Sequence, residues 1–314
     1  MDSNKPRKPL AALTMSLVLP GLGQFYNGEL NKAIWLFLAF AFLSIPGVAL
    51  VALYLPDGLM MPTLVLSVIA ALAIWIYGMA DAWRGAKARP VYRPERWQIS
   101  GVYLLLIIVC DIIALPLLTA YVSNHIVGAF RIPSASMEPT VLQGDFLFAD
   151  KRYNCPGCKA SIRRGDIAIF VYPNNRTTLY IKRIIALPGD QVVIRGGAVS
   201  VNGKPLASAA DSAVETEDGR SWSIRPAVTG PNVTSEDGRG WSSLHTDQAM
   251  PNAVLEMTVP PGRVFVLGDN RADSYDSRDF GTVAMEDVVG RAKQIWLSFG
   301  HGGVRWERLG KVLQ

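Results

Sequence analysis

The chain has 314 residues, half of them hydrophobic, and a net charge of +5 from 31 basic and 26 acidic side chains. That excess is too mild for a nucleic-acid binder, and no basic stripe is interleaved with aromatic residues, so nucleic acid is excluded as a partner. A mean hydropathy of +0.21 is high for a soluble chain, and the apolar residues crowd before residue 123, so a membrane-attached protein of two structural units is expected.

At the N-terminus Lys5, Arg7 and Lys8 precede an apolar stretch, Leu10 to Leu19. Such a start is similar to a secretory leader, but Pro20-Gly21-Leu22-Gly23 interrupts it and no A-x-A cleavage site follows. The stretch is too short to span a bilayer, which makes residues 1–32 a cytoplasmic segment with an interfacial or re-entrant piece. Three longer apolar runs follow: Ala33–Leu55, Leu59–Ala80 and Val102–Val122. Each approaches the roughly 20 residues needed to cross about 30 Å of hydrocarbon. The first two form a membrane module at 33–80, residues 81–101 form a basic loop, and 102–122 is a third transmembrane helix.

Charge orients these spans. Lys5, Arg7, Lys8 and Lys32 lie before the first, and Arg84, Lys87, Arg89, Arg93 and Arg96 lie between the second and third. The link at 56–58 carries neither Lys nor Arg. By the bias of basic loops towards the cytoplasm, the N-terminus and the 81–98 loop are inside, and residues 123–314 are outside. Asp111 sits within the third run, where a carboxylate is costly unless it faces another helix.

From Ala129 the pattern changes to short β-type runs: 146–148, 167–172, 178–187, 191–201, 257–259, 264–267 and 288–299. Gly165-Asp166, Gly189-Asp190 and Asn202-Gly203 punctuate them as turns. The fold class expected is therefore N-terminal transmembrane α-helices followed by a mostly antiparallel β extracytoplasmic domain. A polar insert at about 206–255 interrupts that domain. It holds two similar stretches, Glu217–Trp222 and Glu236–Trp241, which read as hairpins with Asp-Gly turns or as a substrate- or partner-facing subdomain. Cys110 lies in an apolar run as a small hydrophobe. Cys155 and Cys158 flank Pro-Gly and are a disulfide candidate in an oxidising compartment. They are half of a zinc site with no second half, so no metal and no other cofactor are expected.

Three stretches carry chemistry. Pro133 and Pro139 bracket Ser134 and Ser136 in a restricted backbone, which suits either an ordinary loop or a stiffly held nucleophile. Lys182 lies in the apolar strand 179–187, with Tyr180 and Ile184 on its face by alternation; it is a surface lysine or a buried one whose amine is driven towards neutrality. Arg183 falls on the other face, free to stay solvated. Gly268 to Arg278 is a dense Asp/Asn/Arg/Ser loop. Its spacing misses a calcium loop, and its alternating Asp and Arg suit a salt-bridged scaffold.

Together these stretches resemble the type I signal peptidases, membrane-bound Ser/Lys endopeptidases. Pro133–Thr140 is similar to the family's nucleophile box, Gly144–Phe148 to the next box, Tyr180–Asp190 to the lysine box, and Gly268–Arg278 to the last. The resemblance covers about 128–300, apart from the insert. It implies Ser136 as nucleophile and Lys182 as general base. It implies Ser134 as an oxyanion donor beside the Ser136 N–H, and Ser274 as the hydroxyl orienting the amine. Gly268, Asp269, Arg271, Asp276 and Arg278 would brace the site, each Asp pairing with an Arg. Phe130, Ile132, Met137 and Ile181 match positions that line the shallow substrate pockets.

By the same resemblance the activity is cleavage of signal peptides from exported preproteins, after small residues in the A-x-A manner. It would occur at the outer face of a bacterial cytoplasmic membrane, near the secretion machinery. A dedicated maturation peptidase and a silent binding module on a membrane anchor are the alternatives. Trp296, Leu297 and Phe299 would rest on the bilayer or in the core. Pro20–Gly28 and the first two spans fall outside the resemblance.

Overall fold

A computed structural model describes residues 6–44, 57–95, 97–153, 161–195, 198–206, 213–215, 221–223 and 254–313. The chain divides into two compact units, Met1–Val127 and Gly128–Gln314.

The first unit is helical: α1 (Pro9–Val18), α2 (Leu22–Tyr26), α3 (Leu30–Ser44), α4 (Asp57–Lys87), α5 (Ser100–Ile107) and α6 (Leu115–His125). A π-helical turn at Ile108–Ala114 joins α5 to α6 and contains Asp111. Two described helical stretches are long and apolar enough to cross a membrane, Pro62–Lys87 and Ser100–His125.

The Pro20–Gly28 stretch gains a structural account here. Gly21 takes a left-handed φ of 95°, which ends α1 and turns the chain into α2. Gln24 and Asn27 are buried and donate to the Gly78 and Ala82 carbonyls of α4 at 2.7 and 2.8 Å. Ser16 accepts from the Gly23 N–H. Small residues Ala12, Ala82 and Ala86 let α1 lie against α4. The segment is thus a polar clasp holding the helices together, which hydropathy cannot reveal.

Two boundaries shift. Helix α4 runs to Lys87, so Arg84 and Lys87 belong to its last turn and the 81–101 loop is shorter than expected. There the two cations also complement the negative end of the helix dipole. The third apolar run extends to His125. The first run is described only as far as Ser44, and its remainder with the 56 end of the link lies outside the described residues.

The second unit is β. Its strands are β1 (Val127–Arg131), β2 (Asp145–Asp150), β3 (Ile167–Val171), β4 (Leu179–Ala186), β5 (Gln191–Arg195), β6 (Ala198–Val201), β7 (Lys204–Pro205), β8 (Ala213–Glu215), β9 (Ser221–Ser223), β10 (Val254–Thr258), β11 (Arg263–Leu267), β12 (Val283–Ala284), β13 (Val288–Gly300) and β14 (Gly303–Val304). A short helix α7 (Ser277–Phe280) follows β11. The main sheet runs β1-β2-β13-β3-β4-β11-β12, with β14 added to β13. Pairings β2–β13, β13–β3, β3–β4, β4–β11 and β11–β12 are antiparallel. A second sheet runs β10-β5-β6-β7.

The 191–201 run is a β5–β6 hairpin rather than one strand, with Val192 opposite Val201 and Arg195 opposite Ala198. Asn202 and Gly203 both have positive φ, 51° and 76°, as a two-residue hairpin turn requires. Within the insert β8 pairs with β9. The rest of the insert, the Glu236–Trp241 copy and the Cys155–Cys158 pair lie outside the described residues.

Apolar packing fixes where the functional segments meet. One cluster joins Ile132, Met137, Leu147, Ile169, Ile181 and Ile295. Another joins Ala168, Phe170, Ile184, Val264 and Val266, with Tyr180 packed on it. Ile181 and Ile184 thus fall on opposite faces of β4, as alternation demands. Trp296 stacks on Phe148, while Phe299 stays exposed, so this aromatic group is half in the core.

Candidate active site

Strand β4 delivers Lys182 into the second unit's interior, paired in register with Ala168 of β3. Only a methyl side chain stands opposite, which leaves room for the lysine stem. The side chain is 4% exposed, and its Nζ donates to Ser136 Oγ at 2.6 Å. Ser136 lies on the turn between β1 and β2, itself buried. Ser134 Oγ stands 3.4 Å from Ser136 Oγ and is exposed.

The Ser136 turn is tied down from two sides. Asn270 donates its backbone N–H to the Ser136 carbonyl at 3.1 Å and its amide to the Ala135 carbonyl at 3.2 Å. Thr140 donates to Asp269 at 2.6 Å. On the far side Arg308 donates to the Thr140 carbonyl and, through two nitrogens, to the fully buried Asp145. Asp145 in turn accepts from the Leu142 N–H and the Ser298 hydroxyl.

Asp269 and Asp276 of the 268–278 loop each pair with an arginine, but one of those arginines lies outside the loop. Asp269 pairs with Arg183 of β4, which donates Nε and Nη2 at 2.8 and 2.6 Å. Arg183 is fully buried rather than solvated, because its guanidinium has three fixed acceptors: the two Asp269 oxygens and the Gly165 carbonyl. Arg271 gives its Nε to the Gly268 carbonyl. Asp276 and Arg278 do pair with each other, at 2.8 and 2.9 Å. Asp276 also accepts the Gly268 N–H and forms the capping box of α7.

Gly268 is a packing requirement. A Cβ there would run into the Ser274 side chain and the Ser136 carbonyl. Ser274 is packed at this point, and its hydroxyl makes no hydrogen bond to Lys182; it helps instead to hold the Asp276 carboxyl low. The expected lysine-orienting bond is therefore absent in this arrangement, in which the amine is turned onto Ser136. Ile132 and Met137 are 3% and 0% exposed, so they form a floor beneath the site rather than a lining. Ile181 belongs to the same cluster, and Phe130 packs at its edge.

Burial pushes the Lys182 amine down to about 8, with Asp276 pulling the other way and Arg278 adding to the drop. For Asp276, burial alone would raise the carboxyl, but the Arg278 bonds outweigh it and hold it below the usual range. The carboxylates near Lys182 are thus largely answered by arginines. A partly neutral amine in hydrogen-bond reach of a serine hydroxyl can accept its proton at mildly alkaline pH. Among the described residues no group of three or more His, Cys, Asp or Glu is placed to hold a metal ion.

Sequence reasoning gave Arg183 no role in the site and passed over Asn270, Thr140, Asp145 and Arg308. Arg183, Asn270, Thr140 and Asp145 lie inside the motif-bearing stretches, so their position was a usable signal. Arg308 is far along the chain and carried none.

The family model for signal peptidase, peptidase S26 matches residues 103–297, more than half of the chain. Signal peptidase I of Rickettsia canadensis (strain McKiel) is 31% identical over 194 residues, covering 55% of this chain and 72% of the relative. Signal peptidase I of Rickettsia akari (strain Hartford) is 32% identical over 195 residues, with the same coverage. A crystal structure of a signal peptidase I from Enterococcus faecalis V583 is 29% identical and covers 41% of this chain and 95% of that one; its TM-score of 0.25 is too low to speak to the fold. The matched region contains both Ser136 and Lys182, and by family match and identity together this chain belongs to the signal peptidase family, peptidase S26, a family of peptide-bond hydrolases.

Proposed function

We propose that the chain is a signal peptidase I that cuts leader peptides from exported preproteins, with Ser136 as nucleophile and Lys182 as general base. The observation that carries this reading is the 2.6 Å contact between Lys182 Nζ and Ser136 Oγ in a buried, Asp/Arg-braced setting. Neutral Lys182 takes the hydroxyl proton as Oγ bonds to the scissile carbonyl carbon. The oxyanion is held by the Ser136 N–H and the Ser134 hydroxyl. Lys182 then gives its proton to the departing nitrogen, the peptide bond breaks, and an acyl-enzyme remains. Water, deprotonated by the same amine, releases the acyl group. Ser274, not hydrogen-bonded to Lys182 at rest, orients the amine once Ser136 Oγ has become an ester oxygen.

The substrate carries small residues one and three positions before the cut, over Ile181 and Phe130. The apolar run that α3 begins, Pro62–Lys87 and Ser100–His125 cross the cytoplasmic membrane of a bacterium, and the β unit works outside, near the secretion machinery. The concentration of Lys and Arg before α3 and between α4 and α5 supports this orientation.

The test is cleavage of a model preprotein by the full chain in detergent. Wild type is expected to cut after a small residue, and Ser136→Ala to lose at least about 1,000-fold in kcat, within the range for removal of an activated nucleophile. Cleavage that survives Ser136→Ala and Lys182→Ala would refute the dyad.

A further inference from the structure

An aromatic cluster next to Lys182 takes no part in the chemistry above. Tyr172 follows β3, Tyr180 shares the Lys182 face of β4, and Tyr275 and Phe280 come from the loop and helix that carry Ser274 and Asp276. The rings of Tyr172 and Tyr180 stack with centroids 4.5 Å apart at 7°. Tyr275 meets Tyr172 edge-on at 6.2 Å, and Phe280 touches all three tyrosines. The cluster begins at the base, for the Tyr180 ring lies 5.7 Å from Lys182 Nζ. It also reaches solvent: Tyr275 is 47% exposed.

Core packing does not explain that exposed end. Phe170, fully buried, already fills the interior beside Tyr180 and Phe280. Tyr275 keeps an open ring, held in place by an edge contact and by a hydroxyl that accepts from Tyr172 at 3.5 Å. An open aromatic face continuous with a reactive amine is a surface for whatever the amine serves.

The reaction assigns the occupant. The base that takes the Ser136 proton must give one to the departing nitrogen, so that nitrogen leaves on the Lys182 side of Ser136. Ser134, the oxyanion donor, is a separate group 3.4 Å from Ser136 Oγ. We propose that the Tyr172–Tyr180–Tyr275 cluster is the subsite for the leaving-side segment of the substrate, the start of the mature chain, and that it favours apolar or aromatic side chains there. This rests on the Ser136/Lys182 reading. An aromatic side chain stacked on Tyr275 gains about 2- to 10-fold in binding.

The experiment compares three peptides with one leader-side sequence, using the full chain in detergent. One continues after the cut with residues that include Phe, one has Gly at those positions, and one ends in a small amide. Wild type is expected to prefer the Phe peptide over the Gly peptide by about 5- to 10-fold in kcat/KM. Tyr275→Ala is expected to shrink that preference to within about twofold, and Tyr275→Phe to keep it. An unaltered preference in Tyr275→Ala overturns the inference. So does an equal loss on all three peptides, the mark of a purely structural residue, or loss of the preference in Tyr275→Phe. The Ser136→Ala control separates the two levels. If that variant still cleaves, the dyad reading fails; if it is silent and the preference ignores Tyr275, the subsite alone fails.

Discussion

Replacing Arg278 by glutamine is expected to move the activity of this peptidase along the pH axis rather than abolish it. In the proposed mechanism Lys182 works as a base only when neutral, and burial brings its amine down to about 8. Activity must then rise about tenfold per pH step below 8 and level off above it. Arg278 contributes to that low value in two ways. Its charge opposes a second cation nearby, and its two bonds at 2.8 and 2.9 Å neutralise Asp276, which otherwise favours the charged amine. Arg278→Gln removes both effects, and both changes raise the amine's pKa. A charge of this kind at close range shifts a buried group by on the order of one pKa unit, which is about 1.4 kcal/mol. The variant is thus expected to lose about tenfold in kcat/KM at pH 7 and to approach wild type above about pH 9. The assay is a pH profile of peptide cleavage from pH 6 to 10. A loss of equal size at every pH would mean that Arg278 only holds the loop, and a limb shifted to the acid side would refute the electrostatic argument.

Two further outcomes follow from the same geometry. Gly268→Ala places a methyl against the Ser136 carbonyl and the Ser274 side chain; displacement of the nucleophile by about an ångström is expected to cost roughly 100-fold in kcat with little change in KM, measured on the same peptide. Lys182 also makes stability depend on pH. Its folded value of about 8 lies below the ordinary 10.5, so the unfolded chain binds more protons between those values and wild-type stability rises from pH 8 to 10.5 by up to about 3 kcal/mol. Lys182→Met is expected to abolish that rise in Tm, and a wild-type Tm that falls across the same window would contradict it.

Local pattern made the division of the chain legible. Long apolar runs marked α4 and the helices from Ser100 to His125, and turn residues such as Asn202-Gly203 marked the β hairpins, since both signals act over a few neighbouring residues. Short motifs likewise brought Ser136, Lys182 and the 268–278 loop to attention. Alternation placed Lys182 on the Tyr180 and Ile184 face of β4. What alternation missed was that the opposite face is buried too. Arg183 therefore could not be solvated, and Asp269 was its partner rather than a partner of its own loop.

Similarly, the Gln24 and Asn27 clasp depends on carbonyls about 55 residues along the chain, so no window of hydropathy reports it. The amino-acid sequence by itself determined the helical and β units, because periodicity and turn chemistry are local properties, and its resemblance to a family singled out the serine and the lysine. Only the tertiary structure decided that Lys182 Nζ meets Ser136 Oγ, that Ser274 makes no hydrogen bond to Lys182, and that Arg308 reaches back to Asp145 and Thr140. Those contacts join residues from 46 to 168 positions apart, and their formation depends on how β2, β4, β11 and β13 pack, which no single segment encodes.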